Sequence, residues 1–219
     1  MKDLVIFGAG DIARLAHFYF TNDSGRRVVA FAVDGEFRNV DSFLGLPLVA
    51  AADLPQLYPP DRCDVFVAMS YAKMNTVRRA KYEEVRSLGY TCPTYISTRC
   101  SYLAADLPGP NCFILEDNTV QPFVRIGENV TLWSGNHIGH DSVIGNHCFI
   151  SSHVVVSGHV TIGEACFIGV NATLRNSIRI GDRTLIGAAA AIMKDTEPDS
   201  AYLGPRSQKF LKRSDQLEL

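Results

Sequence analysis

Aliphatic residues recur at every sixth position between Ile114 and Ile192, without an exception. The positions two residues before them, from Cys112 to Ala190, are mostly small. A short fixed period means that each repeat buries its apolar residue only by stacking on its neighbours. The pattern therefore predicts a parallel β-helix whose triangular coils take three repeats each, with both sets of side chains pointing inward. A sandwich of short strands, the alternative, would show longer repeats with a drifting register.

Glycine often follows the aliphatic residue. It does so at Gly127, Gly139, Gly145, Gly163, Gly169, Gly181 and Gly187. We expect the chain to turn a corner there, where a residue without Cβ is least strained. Successive coils should advance by about 4.8 Å, one strand spacing.

The first hundred residues follow a different pattern. Residues 3–8 predict an apolar strand, which ends in a G-x-G-x-x-A turn at residues 8–13. This turn begins a predicted helix that runs to about Phe20. A second strand, residues 28–33, ends in Asp34. This arrangement is typical of a dinucleotide-type site, with close backbone approach, a helix N-terminus for a phosphate and an acid for a ribose or base.

The rest of this part is short. It predicts a third strand over residues 63–69, an amphipathic helix over 72–88 and a last strand over 91–96. The predicted strands and helices of the first hundred residues make up one half of a doubly wound fold. A hydride-transfer enzyme normally has two such halves or a separate substrate domain. We therefore expect a domain that binds a nucleotide-bearing ligand rather than NAD.

Three segments follow from these patterns. The prediction is an α/β domain over residues 1–100, a β-helix over 101–197 and a tail over 198–219. The sequence does not decide whether the tail is an ordered flap or a frayed terminus.

Composition narrows the function further. The 219 residues carry a formal net charge of −2, with 47% apolar and 20% charged residues, which argues against nucleic-acid binding through a basic face. No apolar run approaches the roughly 18 residues that span a bilayer, and no signal peptide is evident, so we expect a cytoplasmic protein without membrane contact. Three of the six cysteines occupy inward small positions, where we expect buried reduced thiols.

Five of the six histidines lie between residues 137 and 159. His147, His153 and His159 share one outward position on three successive faces, so they point in different directions and should be surface imidazoles. A metal site would need ligands from neighbouring subunits, and we expect none.

His140 is placed differently. It precedes Asp141, which lies 18 residues before His159 and should therefore stack beside it. Gly158 is the neighbour above His140 and should leave open space beside the imidazole. An imidazole next to a carboxylate, with room for a substrate, suits a general base near neutral pH.

The domain order and the segment Gly139-His140-Asp141-Ser142-Val143-Ile144-Gly145 resemble one family. The chain is similar to the bacterial nucleotide-amino-sugar N-acetyltransferases of the PglD type, which are related to the sialic acid O-acetyltransferases. The resemblance implies a half-Rossmann-like α/β domain followed by a left-handed β-helix, a homotrimer with active sites between subunits, and acetyl-CoA as acyl donor.

The resemblance also implies roles for particular residues. His140 matches the catalytic base, with Asp141 as its acidic partner. The nucleotide sugar would be held by Gly8, Gly10, Asp11, Ile12 and Asp34. The coenzyme A channel would involve His159, Phe149, Gly169, Val170, Gly187 and Ala188. Phe149 is a departure, because the family often has a histidine there, and His147 or His159 is a candidate replacement.

The leading hypothesis is therefore an acetyl-CoA-dependent N-acetyltransferase that serves surface polysaccharide or glycan synthesis. Acetylation of a sugar hydroxyl needs the same base and stays open. A non-catalytic nucleotide-sugar sensor and an NAD-dependent oxidoreductase are further alternatives. The unusual run at residues 133–137 is a candidate determinant of the acceptor sugar.

Overall fold

The predicted inward positions are the core of a parallel β-helix. The computed structural model describes residues 2–209, 211 and 213–216. Every aliphatic residue of the six-residue series is at most 7% exposed, and the small residues two positions earlier are buried with them. The sequence prediction of this fold is confirmed.

The β-helix has three faces, each made of two-residue strands that pair in parallel. The seven-stranded face consists of Tyr95–Ile96, Phe113–Ile114, Thr131–Leu132, Phe149–Ile150, Phe167–Ile168, Leu185–Ile186 and Ala201–Tyr202. The six-stranded face consists of Ser101–Tyr102, Thr119–Val120, His137–Ile138, Val155–Val156, Thr173–Leu174 and Ala191–Ile192. The four-stranded face consists of Arg125–Ile126, Val143–Ile144, Thr161–Ile162 and Arg179–Ile180.

Three columns of corners join these faces, and we name each by one residue. The Trp133 corner joins the seven- and six-stranded faces. The His140 corner joins the six- and four-stranded faces. The His147 corner joins the four- and seven-stranded faces. A residue with left-handed backbone recurs at every sixth position along these corners, from Asn111 to Ala189.

The glycines that follow the aliphatic residues are not these left-handed residues. A Cβ at Gly145 would lie 2.7 Å from the carbonyl carbon of Gly163, and one at Gly139 would lie 2.5 Å from that of Ser157. Glycine is therefore required because successive coils approach closely, and the expectation that it relieves strain at the corner was wrong.

The α/β part is a five-stranded sheet with helices. Its strands are β1 (Asp3–Phe7), β2 (Val28–Val33), β3 (Ser42–Phe43), β4 (Leu46–Ala50) and β5 (Cys63–Val67), in the spatial order β3-β4-β2-β1-β5. Its helices are α1 (Asp11–Asn22), α2 (Leu54–Leu57) and α3 (Thr76–Ser87). Short 3-10 helices cover Gly35–Phe37, Ala51–Asp53 and, in the tail, Ser214–Gln216.

Two predicted elements differ from the structure. The predicted last strand, 91–96, contributes only Tyr95–Ile96, which pairs with the β-helix at Phe113–Ile114. Pro93 lacks the N–H that a continuous ladder needs, and only the Thr91 carbonyl bonds to the α/β sheet, accepting from Val65. The predicted helix over 72–88 begins at Thr76, because residues 73–75 are left-handed.

The tail forms part of the β-helix near its start. Ala201–Tyr202 pairs with Leu185–Ile186, so strand pairing in the β-helix runs from Tyr95 to Tyr202. Met1 and tail residues 210, 212 and 217–219 lie outside the described residues. The three-segment division of the chain stays an interpretation.

The α/β part packs on one face of the β-helix. The outward strand positions of the seven-stranded face include Phe113, Phe149, Phe167 and Leu185. Phe113 joins Phe20 and Phe66 of the α/β part in one core. The four-stranded face presents Arg125 and Arg179 outward instead. The α/β part therefore covers the seven-stranded face, whose outward side chains are mostly apolar, and not the four-stranded face, whose outward side chains include arginines.

None of the helices in the described part of the chain is long and apolar enough to cross a bilayer. The described cysteines are free thiols, and Cys112, Cys148 and Cys166 are buried as expected.

Candidate active site

His140 and Asp141 form a hydrogen-bonded pair on the exposed His140 corner. The Nδ1 atom of His140 lies 2.8 Å from Oδ2 of Asp141, and the imidazole is 53% exposed. The His140 backbone N–H donates to Oε1 of Gln121 at 2.8 Å. With a proton on Nδ1 directed to the carboxylate, Nε2 carries the free lone pair of a general base.

Gly158 and His159 lie against this pair from the next coil. A Cβ at Gly158 would be 2.7 Å from Nε2 of His140, so the imidazole occupies the space that we expected to stay open. The His159 ring is nearly perpendicular to that of His140, with centroids 5.0 Å apart. Its Nε2 lies 4.0 Å from Oδ2 of Asp141, as the 18-residue spacing predicts.

His147 is a structural residue rather than a surface imidazole, contrary to expectation. It is 3% exposed, because helix α3 covers its corner. Its Nδ1 lies 3.0 Å from the amide nitrogen of Asn129, which can only donate, so Nδ1 is the acceptor. Burial lowers the pKa of His147, and the nearby charges of Arg79 and Arg78 lower it further. His147 and His159 lie on different corners and do not converge, as predicted.

The three side chains of His140, Asp141 and His159 have ligand atoms within 4.8 Å of one another. Zinc requires nitrogen ligands at about 2.0–2.1 Å, so these groups would have to converge further around an ion. In the present arrangement Nδ1 of His140 is occupied by Asp141. This arrangement suits proton transfer, and the sequence expectation of no metal stays a prediction.

A cavity of about 970 Å³ opens at the end of the α/β sheet. Its volume is typical of sites for organic ligands. All five residues predicted to hold the nucleotide sugar lie on its wall: Gly8, Gly10, Asp11, Ile12 and Asp34. What they bind stays a prediction.

The glycine turn gives the cavity an anion-binding end. A Cβ at Gly8 would lie 2.5 Å from the carbonyl oxygen of Ala68, so this close approach requires glycine. Gly10 caps α1, and no side chain in the described part of the chain caps the first N–H groups of the helix. Free N–H groups at a helix N-terminus bind phosphate groups favourably.

The other walls come from a loop and from the β-helix. Phe37, Val40 and Phe43 line one apolar side, and Trp133 of the β-helix lines another. The indole Nε1 of Trp133 is buried without a hydrogen-bond partner among the described residues, and such orphaned buried donors are rare in folded proteins. Asp34 accepts from Nζ of Lys81 at 2.7 Å, which holds its carboxylate at the cavity edge.

Most of the predicted coenzyme residues do not lie beside His140. Gly169, Val170, Gly187 and Ala188 stack on the Trp133 corner, on the same column as the cavity wall. Val170 and Ala188 are exposed there. Only His159 of this group lies on the His140 corner.

Phe149 lies elsewhere. It is 2% exposed beneath the rings of Tyr71 and Trp133, with centroids 5.0 and 6.3 Å away. The ring is therefore part of the core, and it does not offer the exposed surface that a coenzyme contact requires.

Sequence reasoning missed several residues around the cavity. The hairpin β3–β4 and the loop before it supply Phe37, Val40 and Leu48, and Ser70 follows β5. The hairpin turns through Leu44 and Gly45, both with positive φ. A Leu-Gly turn lacks the Asn-Gly or Asp-Gly signature that would have revealed it.

Two comparisons of sequence match short parts of the chain. Residues 123–158 match the family described as Bacterial transferase hexapeptide (six repeats). A stretch of 39 residues is 44% identical to an acyl-(acyl-carrier-protein)–UDP-N-acetylglucosamine O-acyltransferase of Pseudomonas putida. That stretch covers 18% of this chain and 15% of the relative, so most of the relative's length is not matched.

Solved structures resemble nearly the whole chain. The acetyltransferase domain of PglB from Neisseria gonorrhoeae has a TM-score of 0.79 at 23% identity and covers 92% of this chain and 97% of that one. PerB from Caulobacter crescentus, solved with CoA and GDP-perosamine, has a TM-score of 0.82 at 22% identity, with coverages of 93% and 95%. WeeI from Acinetobacter baumannii has a TM-score of 0.79 at 18% identity, with coverages of 93% and 97%.

These similarities establish the fold. The chain has a Rossmann-like α/β part followed by a left-handed β-helix with hexapeptide repeats, as the resemblance implied.

Proposed function

We propose that the protein is an acetyl-CoA-dependent N-acetyltransferase that acts on a nucleotide-linked amino sugar, in surface polysaccharide or glycan synthesis. The observation that carries the proposal is the exposed His140–Asp141 pair, joined at 2.8 Å, on a β-helix that also supplies one wall of a large cavity. The solved neighbours support it, since PerB was solved with CoA and GDP-perosamine and the PglB domain with acetyl coenzyme A.

The cavity would hold the nucleotide sugar. The diphosphate would meet the uncapped N-terminus of α1 at Gly10, and the apolar side at Phe37 and Val40 suits a nucleobase. The sugar would then extend toward Trp133.

The arrangement of the corners supports a homotrimer. The α/β part contacts the seven-stranded face and its two corners, for example through Tyr19 to Glu116 and Arg78 to His147. His140 lies on the opposite corner, whereas Trp133 shares another corner with four of the predicted coenzyme residues, Gly169, Val170, Gly187 and Ala188. Within one subunit these parts do not converge, so a complete site would combine the Trp133 corner of one subunit with the His140 corner of its neighbour.

The chemistry follows from the free Nε2 of His140. The sugar amine would attack the thioester carbonyl, and Nε2 would accept the proton that the amine loses. The C–S bond would break, and coenzyme A would leave as a thiolate that then takes a proton. Asp141 would hold the imidazole and stabilise its protonated form. His159, Val170 and Ala188 are the proposed coenzyme contacts.

A thiol-release assay tests this function. Acetyl-CoA is offered with a panel of UDP-, GDP- and dTDP-linked amino and hydroxy sugars. We expect turnover on an amino sugar, and loss of about 10²- to 10⁴-fold in kcat for His140→Ala, the usual range for a general base.

Asp141→Asn should also lose activity, because it removes the carboxylate that holds the imidazole. Its matched control is Asp199→Asn, which makes the same change at another left-handed position, on a residue that pairs with Arg183 away from His140. If only the hydroxy sugars were turned over, the proposed N-acetylation would be wrong and the activity would be O-acetylation. Full activity of His140→Ala would remove the base from the mechanism.

A further inference from the structure

The loop between β5 and α3 contains a strained segment. Lys73, Met74 and Asn75 have φ values of 48°, 52° and 64°, three left-handed residues in succession. Each such residue costs about 1–2 kcal/mol for an L-amino acid other than glycine. A segment of this kind persists only where other contacts hold it in place.

Asn75 provides such contacts. The residue is 0% exposed, and its amide nitrogen donates to the carbonyl oxygens of Ala165 and Cys166, at 3.1 Å each. Its Oδ1 accepts from Nη2 of Arg78 at 2.9 Å. A polar side chain from the loop thus ends inside the His147 corner of the β-helix.

Arg78 extends the same contact to two further coils. It is 1% exposed, and burial lowers its pKa to about 10. It donates to the carbonyl and Oδ1 of Asn129 and to the carbonyls of His147 and Cys148, the last two at 2.9 and 3.2 Å. Because residues 129, 147 and 165 are 18 apart, Asn75 and Arg78 together bind three successive coils.

The other end of the loop forms the cavity. Met69 and Ser70 line it, and the Tyr71 ring packs on Phe149 and Phe167, with centroids 5.0 and 4.6 Å away. Two anchored residues therefore fix a cavity wall relative to the β-helix.

We propose that Asn75 and Arg78 are positioning residues, which hold the acceptor cavity in register with the β-helix that carries the reaction. The proposal rests on the proposed function for what the cavity binds. It predicts that loss of the anchor affects the acceptor and leaves acetyl-CoA unaffected. The anchor lies on the His147 corner, whereas the proposed coenzyme contacts lie on the other two, Val170 and Ala188 on the Trp133 corner and His159 on the His140 corner.

The test compares two glycine variants of the full-length protein. Asn75→Gly keeps the left-handed backbone accessible and removes only the anchoring amide. Lys73→Gly is the matched control, since Lys73 is exposed and equally left-handed. Asn75→Asp is the conservative variant, because it retains an oxygen for Arg78 and lacks the donor for the two carbonyls.

The readouts are steady-state kinetics for both substrates and hydrogen exchange of residues 69–72. For Asn75→Gly we expect kcat/KM for the nucleotide amino sugar to fall on the order of tenfold to a hundredfold, the effect of displacing a reacting group by about 1 Å. The KM for acetyl-CoA should not change, and exchange of the loop should accelerate. Asn75→Asp should show the same acceptor-specific loss, and Lys73→Gly should match the wild type.

The proposal would be overturned if Asn75→Gly had the kinetics and hydrogen exchange of the wild type. It would also be overturned if kcat/KM fell equally for the nucleotide amino sugar and for acetyl-CoA. If the wild type turns over no acceptor in the panel, the proposed function fails. The exchange comparison of the two glycine variants then still decides whether Asn75 anchors the loop.

Discussion

Two corners of the same β-helix carry imidazoles in very different surroundings. On the His147 corner, helix α3 covers the coils, and His147 is 3% exposed with Nδ1 held by Asn129. On the His140 corner no helix of the described residues packs, and His140 is 53% exposed beside Asp141. The backbone is similar at both, since Asp141 and His147 have φ values of 59° and 62°.

The difference shows that the repeat determines the backbone and the domain contact determines the role of each side chain. Where the α/β part covers a corner, the polar groups of that corner are buried and form hydrogen bonds that hold the two parts of the chain in place. A corner left open retains a basic nitrogen that a substrate can reach. The same left-handed position therefore carries a buried structural histidine, His147, at one corner and Asp141, the carboxylate partner of a candidate catalyst, at another.

The largest expected effect concerns the glycines that separate the coils. A Cβ at Gly145, which begins the His147 corner, would lie 2.7 Å from both the carbonyl carbon and oxygen of Gly163. Backbone atoms cannot move aside as a side chain can, so Gly145→Ala should lower the free energy of unfolding by about 3 kcal/mol, as overpacked cores do.

Urea denaturation measures this change. Gly35→Ala is the control, because no atom of the residues that the structure describes, apart from its chain neighbours, lies within 4 Å of a Cβ at Gly35. Equal midpoints for the two variants would mean that the coils tolerate a wider spacing than the structure has.

A second glycine should affect activity instead of stability. A Cβ at Gly158, on the His140 corner, would meet the exposed His140 imidazole at 2.7 Å. The ring can rotate into solvent, so Gly158→Ala should change the unfolding free energy by less than about 0.5 kcal/mol. Since the base is displaced, kcat should fall on the order of tenfold or more. If Gly158→Ala were destabilised but kept a normal kcat, the His140 corner would behave like the His147 corner, and the contrast between them would be wrong.

The β-helix was predictable because its period is local and strict. Ile114 to Ile192 repeats every six residues, and stacking leaves few alternatives for such a pattern. His140 and Asp141 are adjacent in the sequence, and the approach of His159 to Asp141 followed from the 18-residue register of the coils.

The domain contact was not predictable from the same pattern. The buried face of α3 combines the apolar Val85 with Arg78 and Tyr82, whose polar ends bond to the β-helix. A buried arginine among carbonyl oxygens leaves no hydrophobic signal in the sequence. The burial of His147 followed from this contact and was missed with it.

The smallest expected effect is a pH dependence of stability at His147. Burial lowers its pKa in the folded protein below the ordinary value of about 6.5. The unfolded chain therefore binds a proton more readily, and stability should fall as the pH decreases below about 6.5, until the pH has passed the lowered value. His147→Asn should remove this loss, because Asn tolerates the left-handed backbone and its Oδ1 can accept from Asn129.

Unfolding free energies measured between pH 5 and 8 test this expectation, because ordinary carboxyl groups titrate near or below about pH 4. His153→Asn is the control, since His153 is exposed and has the same backbone conformation, with φ of 58°. The difference between wild type and His147→Asn should grow toward pH 5, whereas His153→Asn should follow the wild type. If unfolding free energy depended on pH in the same way in all three proteins, burial of His147 would not affect its protonation, and the contrast between the two corners would fail.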